Sequence, residues 1–125
     1  MDGFQARCLR DILRIEPSYY SRVSNHTVRD RAQQKPLSQH LHRQQLLMFG
    51  RIARLPNSDI RRQLTFCSGS LRAATDRYVR KVGRPKHEWA PKLLELALSS
   101  FGSMARVTEL VMDRTRWISA VASKF

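Results

Sequence analysis

Arginine is the residue type through which this sequence can do most chemistry. The chain carries 23 lysines and arginines against 10 aspartates and glutamates, for a net charge of +13, and only Lys35, Lys81, Lys86, Lys92 and Lys124 are lysines. One group, Arg43, Arg51, Arg54, Arg61 and Arg62, falls in the first half of the chain; a second, Arg80, Lys81, Arg84 and Lys86, crowds a short stretch of the second half. The guanidinium is a planar fork that matches phosphate oxygens and base edges better than the point charge of lysine. The balance predicts a polyanionic partner, nucleic acid first, with a merely basic, solvated surface as the alternative.

Residues for catalysis are not grouped in the same way. A two-metal nucleotidyl transferase needs converging carboxylates, and a hydrolase needs a nucleophile, a base and an orienting group. The acids Asp2, Asp11, Glu16, Asp30, Asp59, Asp76, Glu88, Glu95, Glu109 and Asp113 are scattered singly, most within helical reach of an arginine, which predicts ion pairing. His40 and His42 would point about 200° apart on a helix and do not share a metal, while His26 and His87 stand alone. Cys8 and Cys67 form no CxxC pair, which argues against a zinc site and a disulfide-built scaffold and for a reducing compartment. No enzyme activity, metal or cofactor is expected of these residues.

Helices must position the arginines. From about Gly3 to Ile15 the apolar residues Phe4, Cys8, Ile12 and Ile15, with Leu9 and Leu13, share one side of a helix that Pro17 ends. Ser24 and Asn25 are capping types ahead of a short second helix, and Pro36 with Ser38 opens the longest helical pattern. At about 100° per residue, Leu41, Met48, Phe49, Ile52, Ala53 and Leu55 form a packing arc on that helix, opposite His40, Arg43, Gln44, Arg51 and Arg54. Pro56 and Asn57 stop it, and Ser58 or Asp59 caps a further short helix, IRRQLTF. Periodicity weakens from Cys67 to about Gly83. A helix then follows Pro85, with Trp89, Leu93 and Leu96 on its apolar side and Gly102 as its terminator, and a last one follows Ser103, carrying Val107, Leu110, Val111, Trp117, Ile118 and Val121. Both tryptophans sit among aliphatic residues at helical spacing, which favours core packing over base stacking. With no strand pattern of useful length, the expected class is all-α: about five or six helices in two lobes, 1–66 and 85–125, the second a helical hairpin, joined by a basic linker over 67–84.

KVGRPKHEW, residues 81–89, joins that linker to the following helix. Gly-Arg-Pro cannot be helix interior, so Arg84 is presented on extended chain. The step is similar to an AT-hook core, whose arginine lies in a narrow A·T-rich minor groove, although Val82 stands where the first arginine of that motif is usual. A simple helix-entry turn is the other reading.

RQQLLMFGRIARLP, from Arg43 to Pro56, resembles the basic, aromatic helix found downstream of the polymerase in proteins of non-LTR retrotransposons. LRDILRI at Leu9, RVSNHTV at Arg22, PLSQHL at Pro36, GRPKHEW at Gly83 and DRTRW at Asp113 resemble, in order, further blocks of the C-terminal region of LINE-type endonuclease/reverse transcriptases. The likeness covers nearly the whole chain. Met48 stands where that family usually has tryptophan, Leu47 where it has arginine, and Arg51 where it has histidine. The polymerase's aspartate pair and the endonuclease's metal-binding residues belong to regions of the family that have no counterpart in this chain.

The resemblance implies a C-terminal fragment of an RNA-directed DNA polymerase. Together with the arginines it leads to the expectation of a non-catalytic chain that positions template RNA, target DNA or their hybrid, with the polymerase portion of the parent as a second partner. A minor-groove DNA-binding protein built on KVGRPK, and a degenerate element without selected activity, remain the alternatives. The opening MDGFQARCLRDIL mixes charge into its apolar stretch and is read as neither signal peptide nor membrane span. No membrane partner is expected, and the expected location is an intracellular, nuclear or cytoplasmic ribonucleoprotein rather than a secreted state.

Overall fold

The computed structural model describes residues 1–74, 83 and 88–125. These residues form an all-α structure of eight helices: α1 (Asp2–Leu13), α2 (Ser18–Ser21), α3 (Asn25–Arg31), α4 (Leu37–Ala53), α5 (Ile60–Thr65), α6 (Trp89–Phe101), α7 (Met104–Met112) and α8 (Arg114–Lys124). Two helices exceed the sequence expectation. α2 is a single turn opened by Pro17, and the helix expected after Ser103 is broken at Asp113 into α7 and α8. Asp113 has extended backbone there, and its Oδ1 accepts from the amides of Thr115 and Arg116, so it ends one helix and caps the next. Two compact units are present, Met1–Arg43 with Phe125, and Gln44–Lys124.

In the first unit α1 packs on α3. Among its described apolar residues only Ala6 and Val28 are buried, so polar contacts carry much of the organisation. Arg10, 6% exposed, donates to the carbonyls of Glu16 (3.0 Å) and Val23 (2.5 Å) and to Asn25 Oδ1 (3.1 Å), gathering the chain between α1 and α3 around one guanidinium. The first amides of α4, which have no intrahelical acceptors, are met by α1: Leu37 N–H donates to Gln5 Oε1 at 2.9 Å, and Ser38 N–H and Oγ–H donate to the Asp2 carboxylate at 2.8 and 2.6 Å. These two bonds, with the positive charge of Arg29, hold the Asp2 carboxyl below its ordinary value. Ser24 caps α3 through Thr27 N–H, as its sequence position predicts. The apolar side expected for α1 is not the packed one. Phe4 and Ile12 are 70% and 74% exposed, because small Ala6 and the hydrogen-bonded Arg10 face inward instead.

In the second unit α6 packs on α7 and α7 on α8. Each helix contributes buried residues one turn apart: Leu93 and Ala97, Val107 and Val111, Trp117 and Val121. Trp117 joins them to α4, its ring centroid 6.2 Å from Phe49 and 5.2 Å from Phe101, while Phe49 meets Phe66 edge-on at 5.2 Å. The inward arc of α4 is Leu46, Phe49, Gly50, Ile52 and Ala53; Met48, expected within it, is exposed. Ser103 caps α7 through Arg106 N–H, and Gly102, at φ +94°, closes α6 as expected. Trp89 is the first residue of α6 and only half-buried.

At the head of the expected linker, residues 66–74 make a tight reversal. Cys67 N–H donates to Arg72 O, Ala74 N–H donates to Thr65 O, and Gly69 turns the chain at φ +71°. Phe66, Leu71 and Ala74 are buried by it. The remainder of the linker and most of KVGRPKHEW, positions 75–82 and 84–87, lie outside the described residues. Both cysteines are free and half-buried, and among the described residues no helix is long and apolar enough to cross a membrane.

Candidate nucleic-acid interface

The arginines named from the sequence separate into distinct roles. Arg62, placed by sequence on a basic binding face, is 6% exposed. It donates to the carbonyl of Ala53, the last residue of α4, and to Asn57 Oδ1 at 2.9 Å, with its guanidinium 5.8 Å from the Phe66 ring centroid. Buried in this way it offers no surface to a phosphate. It is the C-terminal cap of α4, supplying a donor and a positive charge where the helix has orphan carbonyls.

Arg61 is exposed but its fork is occupied. Asp59 caps α5 through Arg61 N–H (2.9 Å) and also receives Arg61 Nε (3.0 Å) and Nη2 (2.7 Å). Those bonds from Arg61 hold the Asp59 carboxyl down at about 2 and raise the Arg61 value in return. Arg43, in the first unit, is half-buried, and its Nε is enclosed with no hydrogen-bond acceptor among the described residues. Arg80, Lys81, Arg84 and Lys86 lie outside the described residues.

Arg51 and Arg54 come together. They share a face of α4 and its C-terminal extension with Leu47, and that face borders an open groove of ≈ 410 Å³ whose other side is Arg114, Trp117 and Ile118 of α8. Arg54 donates Nη1–H to the carbonyl of Val111 at 2.8 Å, in the last turn of α7, and so braces α4 against that helix end. Burial first, then the charges of Arg114 and Arg51, hold the Arg54 guanidinium below its ordinary value, with Asp113 acting in the opposite sense. Among the described residues no carboxylate forms an ion pair with Arg51, Arg54 or Arg114: Asp113 and Glu109 pair with Arg116 at 3.6 and 3.8 Å.

Arg114 was absent from the residues picked out by sequence. Its signal is in DRTRW, where Arg114 precedes Trp117 by three positions and therefore shares its side of a helix. Guanidinium groups stay protonated, so the mutual repulsion of three arginines is relieved by an anion rather than by proton loss. The groove is chemically an anion site with an apolar flank. Among the described residues no group of three His, Cys, Asp or Glu side chains could hold a metal ion. No family model matches this chain, and neither a curated protein nor a solved structure matches it.

Proposed function

We propose that this chain binds nucleic acid without catalysing a reaction of its own, as a piece of the region downstream of the polymerase in a LINE-type retrotransposon protein, acting within an intracellular ribonucleoprotein. The observation that carries the binding function is the gathering of Arg51, Arg54 and Arg114 at one groove with no paired carboxylate among the described residues. The net charge of +13 gives the long-range attraction that brings a polyanion to it. The retrotransposon affiliation rests on the ordered sequence blocks from LRDILRI to DRTRW.

Binding of the full chain to labelled RNA, single-stranded DNA and duplex DNA, titrated with salt, tests the reading. If about five to seven phosphates are neutralised, log K against log salt on duplex falls with a slope near −5 to −6. Arg51→Ala flattens the slope by about one. A slope near zero overturns the reading. Purified chain is expected to show no primer extension or nuclease activity with Mg²⁺ or Mn²⁺, and template-dependent incorporation would overturn the non-catalytic part.

A further inference from the structure

Leu47, Arg51 and Arg54 recur at i, i+4 and i+7 along α4, and Arg114, Trp117 and Ile118 at i, i+3 and i+4 along α8. The groove between these stripes is therefore two-sided in chemistry. Arginines border it, and Leu47 and Ile118 give it an apolar wall, with buried Trp117 behind them. Its ≈ 410 Å³ lies within the range of about 300 to 1,000 Å³ typical of small-ligand sites. Ile118 is 42% exposed, although it stands one position from the fully buried Trp117. A site for backbone phosphate alone has no use for such a wall, because the outside of a duplex presents sugar and phosphate and keeps its base faces stacked. An unpaired nucleotide presents both parts at once, an anionic phosphate and a flat apolar base.

We infer that this groove is a seat for one unpaired nucleotide of a single strand, with the phosphate held by Arg51, Arg54 and Arg114 and the base laid on Leu47 and Ile118. The inference rests on the nucleic-acid reading above and adds to it a preference for single strands and a role for Arg114. Arg54 is fixed by Val111, so one of the three cations is positioned before any ligand arrives. Arg51 and Arg114 are exposed, without hydrogen-bond acceptors among the described residues, and free to close on the phosphate.

The test compares the full-length wild type with Arg114→Gln, Ile118→Gln and Arg106→Gln. Arg106 is an exposed arginine of α7 outside the groove and serves as the charge-matched control. Each variant is first checked by thermal melting, with Arg51→Gln as a second groove variant should Arg114→Gln melt early. Affinity is read by fluorescence anisotropy on a labelled single strand and on the same strand annealed to its complement. The expected result is a five- to twenty-fold loss of single-strand affinity, about the effect of one base or phosphate contact, for Arg114→Gln and for Ile118→Gln. Ile118→Gln leaves duplex affinity unchanged, and Arg106→Gln changes neither. AMP competes with the strand more strongly than inorganic phosphate at equal concentration, because only AMP also carries a base. If the wild type binds with a steep salt slope while both groove variants behave like Arg106→Gln, the groove is not the site, and nucleic-acid binding then rests on the net charge of +13 alone. Loss of equal size on duplex and single strand for Ile118→Gln overturns the single-strand preference. A wild type that binds no nucleic acid overturns both.

Discussion

The pyrrole edge of the Trp117 indole comes up against α4 at Gly50 and donates its N–H to the carbonyl of Leu46 at 2.9 Å. That carbonyl is the acceptor that the helical ladder pairs with the Gly50 amide, so the tryptophan shares it and reaches it only because residue 50 has no side chain. A Cβ at Gly50 would stand 2.2 Å from Nε1 and 2.4 Å from Cδ1 of the ring. This close approach of α8 to α4 is thus written as one glycine and one tryptophan in different helices.

Gly50→Ala is expected to destabilise the protein by about 1 to 5 kcal/mol. Alanine gains about 1 kcal/mol of helix propensity, but overpacking costs about 1 to 3 and displacing the indole strands a buried donor at a further cost of about 1 to 3. Gly3→Ala in α1 meets nothing within 4 Å and is expected to be neutral or to stabilise by up to about 1 kcal/mol. Denaturant melts of the two variants distinguish them: stability is lost with Gly50→Ala and not with Gly3→Ala.

The two tryptophans are expected to differ in the same assay. Trp117 is fully buried among Phe49, Phe101 and Leu46, and Trp117→Ala costs about 3 to 5 kcal/mol. Trp117→Phe costs less, because Leu46 O keeps its helical partner and is not orphaned. Trp89→Ala, at the half-buried start of α6, costs less than Trp117→Ala; an equal cost would contradict the burial described.

Adjacent arginines carry unequal consequences. Arg62→Met removes the donor from Ala53 O and Asn57 Oδ1 and is expected to cost about 1.5 to 3 kcal/mol. Arg61→Met breaks an exposed, solvent-screened pair with Asp59 and is expected to cost less than Arg62→Met. Urea denaturation distinguishes them.

Acid should weaken the protein in a defined window. The folded Asp59 carboxyl sits at about 2 against an ordinary value of 3.8, and Asp2 is also held low. Groups depressed in this way contribute stability that is fully present above about pH 4 and is lost as pH falls through the folded value. Melting temperature against pH should therefore drop between about pH 4 and 2, and the drop should shrink in Asp59→Asn and in Asp2→Asn. An unchanged acid limb in both variants would show that these carboxylates do not set it.

Local chemistry decided much of the fold, and it was legible in the sequence. Ser24, Asp59 and Ser103 cap the helices they precede, and Gly102 ends α6, because each acts on amides or carbonyls within a few residues of itself. The all-α class follows from helical periodicity in nearly every segment, and Arg51 and Arg54 could be placed on one face of α4 from spacing alone. Tertiary structure decided which face of a helix turned inward and which arginines stayed available. Phe4 and Ile12 give α1 its apolar stripe, yet α1 buries Ala6 and Arg10, because the acceptors that satisfy Arg10 lie on other segments. Arg62 and Arg54 look like surface charges in sequence and become caps of helix ends, since their acceptors, Ala53 O and Val111 O, are placed only by the packing of α4, α5 and α7. The groove itself is a product of that packing. Arg114 joins Arg51 and Arg54 because Trp117, three residues further along the same helix, is drawn onto Gly50, and the charge that gathers there has a location only once the core has closed.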